Sequence, residues 1–365
     1  MPRFHARRDE SLSHPSPRPA VSPPGPFLGR CIRVFTDPVA WRLFLRRWAI
    51  SIASLVGGLL VLFVFRRGVP HVGWIVGYLV VLWLLFTVLV QARQRLLARG
   101  RRLVLVAGEY TIQTLYHGLL LFVLPGYFAS TTFDGITLPF FVVLAGAALV
   151  TTIDPWFGAL IQPYPWAGWV FFAFSIFAGL NVALPLVGVP PAGALLGSAA
   201  LAGLALTPAF VERVGAWSGA FRLAGLSAAF ATGVAWLGLP AIPPAPLHLM
   251  RPTIARAVVD LEPVDPVGPR VSAGAVVAAW GGLVAYTPVS APAGLRQPII
   301  HRWQHEGRVV TTVRLSTPVL GGRAAGFRTY SRKSDFPADP RGRWSVDVVT
   351  ASGQLIGRLR FTVVP

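Results

Sequence analysis

Lysine, asparagine and cysteine are almost missing from this 365-residue sequence; each occurs once, as Lys333, Asn181 and Cys31. A single cysteine excludes an intramolecular disulfide and any cysteine-based metal site. Any region outside the cytoplasm must therefore be stable without covalent staples. The one asparagine lies in an apolar run and offers no glycosylation site. Charge is scarce as well: Asp, Glu, Lys and Arg make up 13% of the chain, against about 25% in an ordinary soluble domain. Acids are the scarcer sign, 14 against 33 basic residues, so the net charge is +19 and almost all of it is arginine. No G-x-S-x-G elbow, Walker A loop, H-E-x-x-H or C-x-x-C motif is present, which leaves no catalytic residue to assign and no cofactor to expect.

Apolar residues fill the space, at 54% of the chain. Residues 1–36 are rich in Pro, Arg and Ser and cannot bury enough apolar surface to offset ordering entropy, so they read as a disordered cytoplasmic tail. "DPVAWRLFLRRW" (37–48) mixes Trp and Leu with Arg in the manner of a short interfacial helix. A spanning helix needs roughly 20 largely apolar residues. Seven stretches qualify: Trp48–Phe65, His71–Val90, Leu103–Leu124, Ile136–Ile153, Ala167–Val187, Ala192–Thr207 and Phe221–Leu239. The sixth is short, so a re-entrant piece there would reduce the count to six.

Arginine placement orients this helical domain, 37–240. Nine arginines precede residue 48, five lie in "QARQRLLARGRR" between the second and third stretches, and Arg213 and Arg222 lie between the sixth and seventh. All fall on one side if the N-terminus is cytoplasmic, as the positive-inside bias requires; only Arg66 and Arg67 dissent. Seven spans then put the C-terminal region outside, in the periplasm of a bacterial inner-membrane protein. Gly73 with Gly77, and Gly193 with Gly197, have the spacing that permits close helix approach.

The pattern changes after Leu239. Within "PAIPPAPLHLMRP" (240–252), residues 241–251 read as an extended proline-rich linker, and 252–365 as an all-β sandwich. Val309, Thr311, Val313 and Leu315 alternate with Val310, Thr312, Arg314 and Ser316, a period of two that marks a half-buried strand. "RWSVDVV" alternates likewise, "TASG" turns the chain, and Leu355, Leu359, Phe361 and Val363 return on one face as a hairpin.

Four blocks, "RAVVDLEPVD" (256–265), "HRWQHEGRVV" (301–310), "GFRTYSRK" (326–333) and "GRWSVDVVTASGQLIGRLRFTV" (342–363), fall in an order that resembles the bacterial domain of unknown function 2914. The membrane part is similar in layout to domain of unknown function 5924, a module often found ahead of it. The resemblance implies a β-rich terminal module and no particular activity.

Two sets of residues invite a functional reading. Glu109, Gln113 and His117 are spaced i, i+4, i+8 along one face of the third span, where ionisable groups are costly and serve a pathway or a partner. They would relay protons or hold a headgroup; the plainer alternative puts Glu109 at the interface and His117 against a neighbouring helix. His301, Trp303 and His305 share a strand face, and with Glu306 would suit zinc, though a strand end explains them equally. Trp303, Arg328, Tyr330 and Trp344 would form a basic, aromatic surface for an anionic polymer or glycan, unless the tryptophans are core. The expected partners are thus the lipid bilayer and an envelope protein or glycan. Nucleic acid is not expected, because topology accounts for the basic excess. A transporter or lipid-active enzyme built on Glu109 and His117 is the alternative to a binding module.

Overall fold

The computed structural model of the protein describes residues 72–365 except 134 and 280. The tail, the interfacial helix and the first candidate span lie outside the described residues. Among the described residues eight helices come first: α1 (Val72–Ala98), α2 (Arg102–Ser130), α3 (Leu138–Thr152), α4 (Asp154–Leu160), α5 (Pro165–Leu186), α6 (Pro191–Leu204), α7 (Thr207–Val214) and α8 (Trp217–Leu237). Among the described residues five are long and apolar enough to cross a membrane, or six if the bent pair α3–α4 counts as one span. The short sixth stretch reaches spanning length because α7 extends α6 to 24 residues, Pro191–Val214. Large apolar side chains face outward along these helices, Leu103 at 85% and Phe230 at 75% exposure, as a lipid-facing surface demands.

Inside the bundle, Phe86 of α1 stacks on Phe172 of α5 with ring centres 3.9 Å apart. The lone asparagine is buried and satisfied: Asn181 Nδ2 donates to the Tyr127 hydroxyl (2.9 Å), which donates to the Ala178 carbonyl (3.3 Å). Close helix approach does not occur at Gly193 or Gly197, whose Cβ positions would meet only side-chain atoms at 3.5 and 3.8 Å. It occurs at Gly203 of α6, where a Cβ would sit 2.5 Å from the Cα of Ala228 in α8. Buried Ala199, Ala202, Ala224 and Ala228 extend that small-residue contact.

The fourth candidate span, 136–153, is the short helix α3, and the chain breaks at its end. α3 and α4 meet at an angle of 109°. Ile153 is extended there (φ −104°, ψ 93°), and Pro155 has no N–H to donate to the Thr151 carbonyl four residues back.

The C-terminal region is β-rich: β1 (His248–Leu249), β2 (Thr253–Val259), β3 (Glu262–Val267), β4 (Arg270–Ser272), β5 (Leu283–Tyr286), β6 (Val289–Ser290), β7 (Arg296–Gln297), β8 (Ile299–His305), β9 (Arg308–Arg314), β10 (Val319–Leu320), β11 (Tyr330–Lys333), β12 (Gly342–Thr350) and β13 (Leu355–Val364). One sheet runs β11-β5-β2-β3 and a second β4-β13-β12-β8-β9, with two-stranded ribbons β1-β6 and β7-β10 beside them. All pairs are antiparallel except β4 with β13. One apolar cluster draws on both sheets, Ile254, Leu283 and Ala285 from the first and Trp303, Trp344, Val346, Leu359 and Phe361 from the second.

The alternation holds over 344–348 and 359–363, with Trp344 opposite Phe361 and Val346 opposite Leu359, but the register shifts between Val348 and Val349, where Val349 is buried and Ile356 takes the core place expected for Leu355. In β9 it slips, because the register shifts between Trp303 and Gln304; Thr311 and Val313 turn inward while Val309 is exposed. A bulge of this kind leaves one residue of the strand without an opposite partner. Glu306 and Gly307 both have positive φ, 46° and 80°, the conformation of a tight two-residue hairpin. The Glu306 carboxylate holds that turn by accepting from the Arg343 backbone N–H (2.7 Å) and its guanidinium (3.1 Å). Lys333 closes one side between the sheets: its ammonium donates to Thr311 Oγ1 (2.8 Å) and to the Asp335 carbonyl (2.6 Å), and burial lowers its pKa.

The proline-rich segment is packed, not an extended tether. Pro243, Pro244, Ala245 and Leu247 are buried. Ala245 belongs to the apolar core of the helices and Leu247 to the core of the sheets. Proline content sets φ but says nothing about burial, and here the segment threads between two apolar cores.

Candidate functional site

The polar stripe of α2 lies against the break between α3 and α4. Gln113 Nε2 donates to the Thr151 carbonyl (3.1 Å), the acceptor that Pro155 cannot serve, and to Asp154 Oδ1 (2.7 Å). His117 Nδ1 lies 3.1 Å from the Thr152 hydroxyl. A small polar cavity of about 10 Å³ is lined by Tyr110, Gln113, Thr114, His117, Thr151, Thr152 and Asp154, room for roughly one water. Gln113 and His117 thus serve a broken helix, whose freed backbone groups must find partners where water is scarce.

Glu109 is not part of that arrangement. It is half-buried in a larger cleft of about 460 Å³ between α1, α2, α4, α5 and α7. Arg93, Gln94, Gln162 and Glu212 supply the other polar groups, and Tyr116, Trp169 and Tyr164 supply rings. Phe86, Leu89 and Ile112 line its apolar part. Among the described residues Glu109, Glu212 and Arg93 form no ion pair. Sequence reading alone does not find this cleft, because Arg93, Glu109, Trp169 and Glu212 are separated by long stretches of chain.

In the β-rich region the six candidate residues are not brought onto one surface. His301 and Trp303 are fully buried and Trp344 nearly so. His301 Nδ1 lies 2.8 Å from Ser331 Oγ and Nε2 lies 3.0 Å from Thr287 Oγ1. The Trp303 indole donates to the same Ser331 oxygen (3.0 Å). That leaves the serine proton for Nδ1, which fits a neutral ring carrying its proton on Nε2. Burial pushes the His301 pKa down to about 4. His305 stacks on Trp344 at 4.4 Å and donates through Nε2 to the Arg341 carbonyl (2.9 Å). Arg328 and Tyr330 lie toward the surface, Arg328 paired with Glu262 at 2.5 Å. Among the described residues no group of three or more His, Cys, Asp or Glu is placed to hold a metal.

The outer face of the five-stranded sheet carries a feature that the inward-facing residues obscure. Arg302 of β8 and Arg358 of β13 both stand opposite Asp347 of β12. Arg358 chelates Asp347, which also accepts from Gln304 (2.8 Å). By strand alternation Arg270, Arg314, Arg343 and Arg360 share this face. Six arginines therefore share this sheet face with one aspartate, with Glu306 at its corner. The signal was the polar half of the alternation, "GRLRF", whose apolar half marks the core.

These features define a membrane protein with, among the described residues, five to six apolar helices followed by a β-rich region. The chain belongs to a family of unknown function, DUF5924, whose model matches residues 32–270. A second model, the protein of unknown function DUF2914, matches residues 296–363. That match takes in three of the four sequence blocks; the first, 256–265, lies within the longer match. No curated protein and no solved structure matches the chain.

Proposed function

We propose that the protein is a multi-pass bacterial inner-membrane protein that presents its β-rich region, a two-sheet sandwich, in the periplasm as a binding module for an anionic envelope glycan. The arginine-rich outer sheet face carries this reading. Arginine forms bidentate bonds with carboxylates and phosphates, and Arg270, Arg302 and Arg314 have no ion-pair partner among the described residues. The orientation is supported by the loop arginines. Arg93, Arg95, Arg99, Arg101 and Arg102 gather where α1 meets α2, and Arg213 where α7 meets α8. The β-rich region follows the other end of α8, the side opposite to positive charge. A transporter or lipid-active enzyme pairing Glu109 with His117 has less support, since the two residues line different cavities.

The test has two arms. Alkaline phosphatase fused after Pro365 should be active, and a fluorescent protein at the same point dark; the reverse pattern overturns the orientation. Full-length protein in nanodiscs of zwitterionic lipid should retain a fluorescent acidic polysaccharide at low salt. Arg302→Glu with Arg360→Glu should cut retention tenfold or more, and unchanged retention removes the sheet face as the binding surface.

A further inference from the structure

The cleft between α1, α2, α4, α5 and α7 has a lining that selects a class of ligand. Its volume, about 460 Å³, falls in the range of small-molecule sites. One part is apolar, with Phe86, Leu89, Val90, Leu97 and Ile112. All five lie on helices apolar enough to cross a membrane. A ligand that reaches the cleft along these side chains needs a hydrocarbon portion.

The polar part carries both signs. Glu109 and Glu212 bring two carboxylates from different helices, and Arg93 brings one guanidinium from a third. Among the described residues none of the three has an ion-pair partner. An anionic headgroup would meet two uncompensated carboxylates. A purely cationic one would leave Arg93 without a counter-charge. A zwitterion matches both: a phosphate for the guanidinium fork and an amine for the carboxylates. The rings of Tyr116, Tyr164 and Trp169 line the same space and favour a cation over their faces. A primary ammonium has three N–H donors, one each for Glu109 and Glu212 and one for the amide oxygen of either Gln94 or Gln162. A quaternary ammonium has none.

We propose that this cleft binds one zwitterionic lipid with a phosphoethanolamine headgroup, its ammonium between Glu109 and Glu212, its phosphate on Arg93 and an acyl chain along Phe86, Leu89 and Ile112. The site is separate from the sheet face of the proposed glycan module, and neither reading depends on the other.

Full-length protein is purified in detergent, stripped of lipid, and offered equal amounts of phosphatidylethanolamine, phosphatidylcholine and phosphatidylglycerol; bound lipid is counted by native mass spectrometry. One phosphatidylethanolamine per chain should be retained in preference to the other two. Glu109→Gln with Glu212→Gln should lower its retention at least tenfold relative to phosphatidylglycerol. Arg93→Gln should weaken all three lipids. Arg328→Gln, on the β-rich region, should change nothing. Each variant is also melted, so that a folding defect is separated from lost binding; if the double variant melts early, Glu109→Gln alone should still show the shift in preference. Equal retention of the three lipids, or a preference untouched by the carboxylate variants, overturns the proposal. Free phosphoethanolamine should fail to displace the lipid at a hundredfold excess; displacement would mean that a soluble phosphoester is the occupant and overturns the lipid assignment.

Discussion

In the helical half, Gln113 turns its amide toward a backbone carbonyl that proline has left without a donor. In the β-rich half, His301 turns both ring nitrogens toward hydroxyls, Ser331 on β11 and Thr287 just past β5. Both side chains are buried and both are satisfied, yet they answer different needs. The helix break exists first as a backbone problem, and Gln113 repairs it. The strands have no such problem, since their ladders already pair the backbone; His301 adds a network of side chains inside an aromatic core. Polar burial in the bundle therefore maintains a bend, while in the sheets it ties β8 to β11 and to Thr287, the residue that follows β5.

The comparison can be broken most forcefully at the aromatic core. Trp303→Ala removes a fully buried indole and the donor to Ser331, and should destabilise the β-rich region by about 3–5 kcal/mol. Hydrogen exchange should show β8 and β12 opening. Exchange in α1 and α5 as fast as in β8 would contradict a core centred on the sheets.

Acid should give the next largest effect. The folded pKa of His301 is lowered to about 4 from 6.5, so the unfolded chain takes up this proton at higher pH than the folded one. The contribution of His301 to stability is complete above pH 6.5 and is lost as the pH falls toward 4, by about 3 kcal/mol at that point. Melting followed between pH 7 and pH 4 should show this decline, and His301→Gln should flatten it. A wild-type profile that is flat across that window would remove the buried neutral histidine.

Gln113→Leu should have the smallest effect, about 0.6–2 kcal/mol, the range for a side-chain hydrogen bond within a helical membrane bundle. Its signature is local. A cysteine introduced at Thr152 should become more reactive to a thiol reagent, with the β-rich region unaffected. No change in reactivity would mean that Gln113 does not hold the bend.

Much of this was legible from residue order. The apolar alternation of 344–348 and 359–363 announces the hairpin and its inward face, and long apolar runs announce the helices from 72 onward. The break at 153–155 was readable in principle, since Pro155 removes a known donor, but its partner on α2 depends on which helices pack together. The cleft depends on the same tertiary fact and draws on five helices. His301 and Trp303 share a strand face with His305, and spacing alone does not say whether such a face looks toward solvent or a second sheet. The proline-rich segment misled for a related reason: its composition resembles a tether, and only packing reveals that it is enclosed.

That enclosed segment makes the molecule a transmission. Ala245 is seated among the helices and Leu247 among the strands, with one residue between them. A tether would let the β-rich region swing without consequence for the bundle. Here a twist of the β-rich region has almost no slack to take up before it displaces a side chain in the helical core. Load on one half is load on the other.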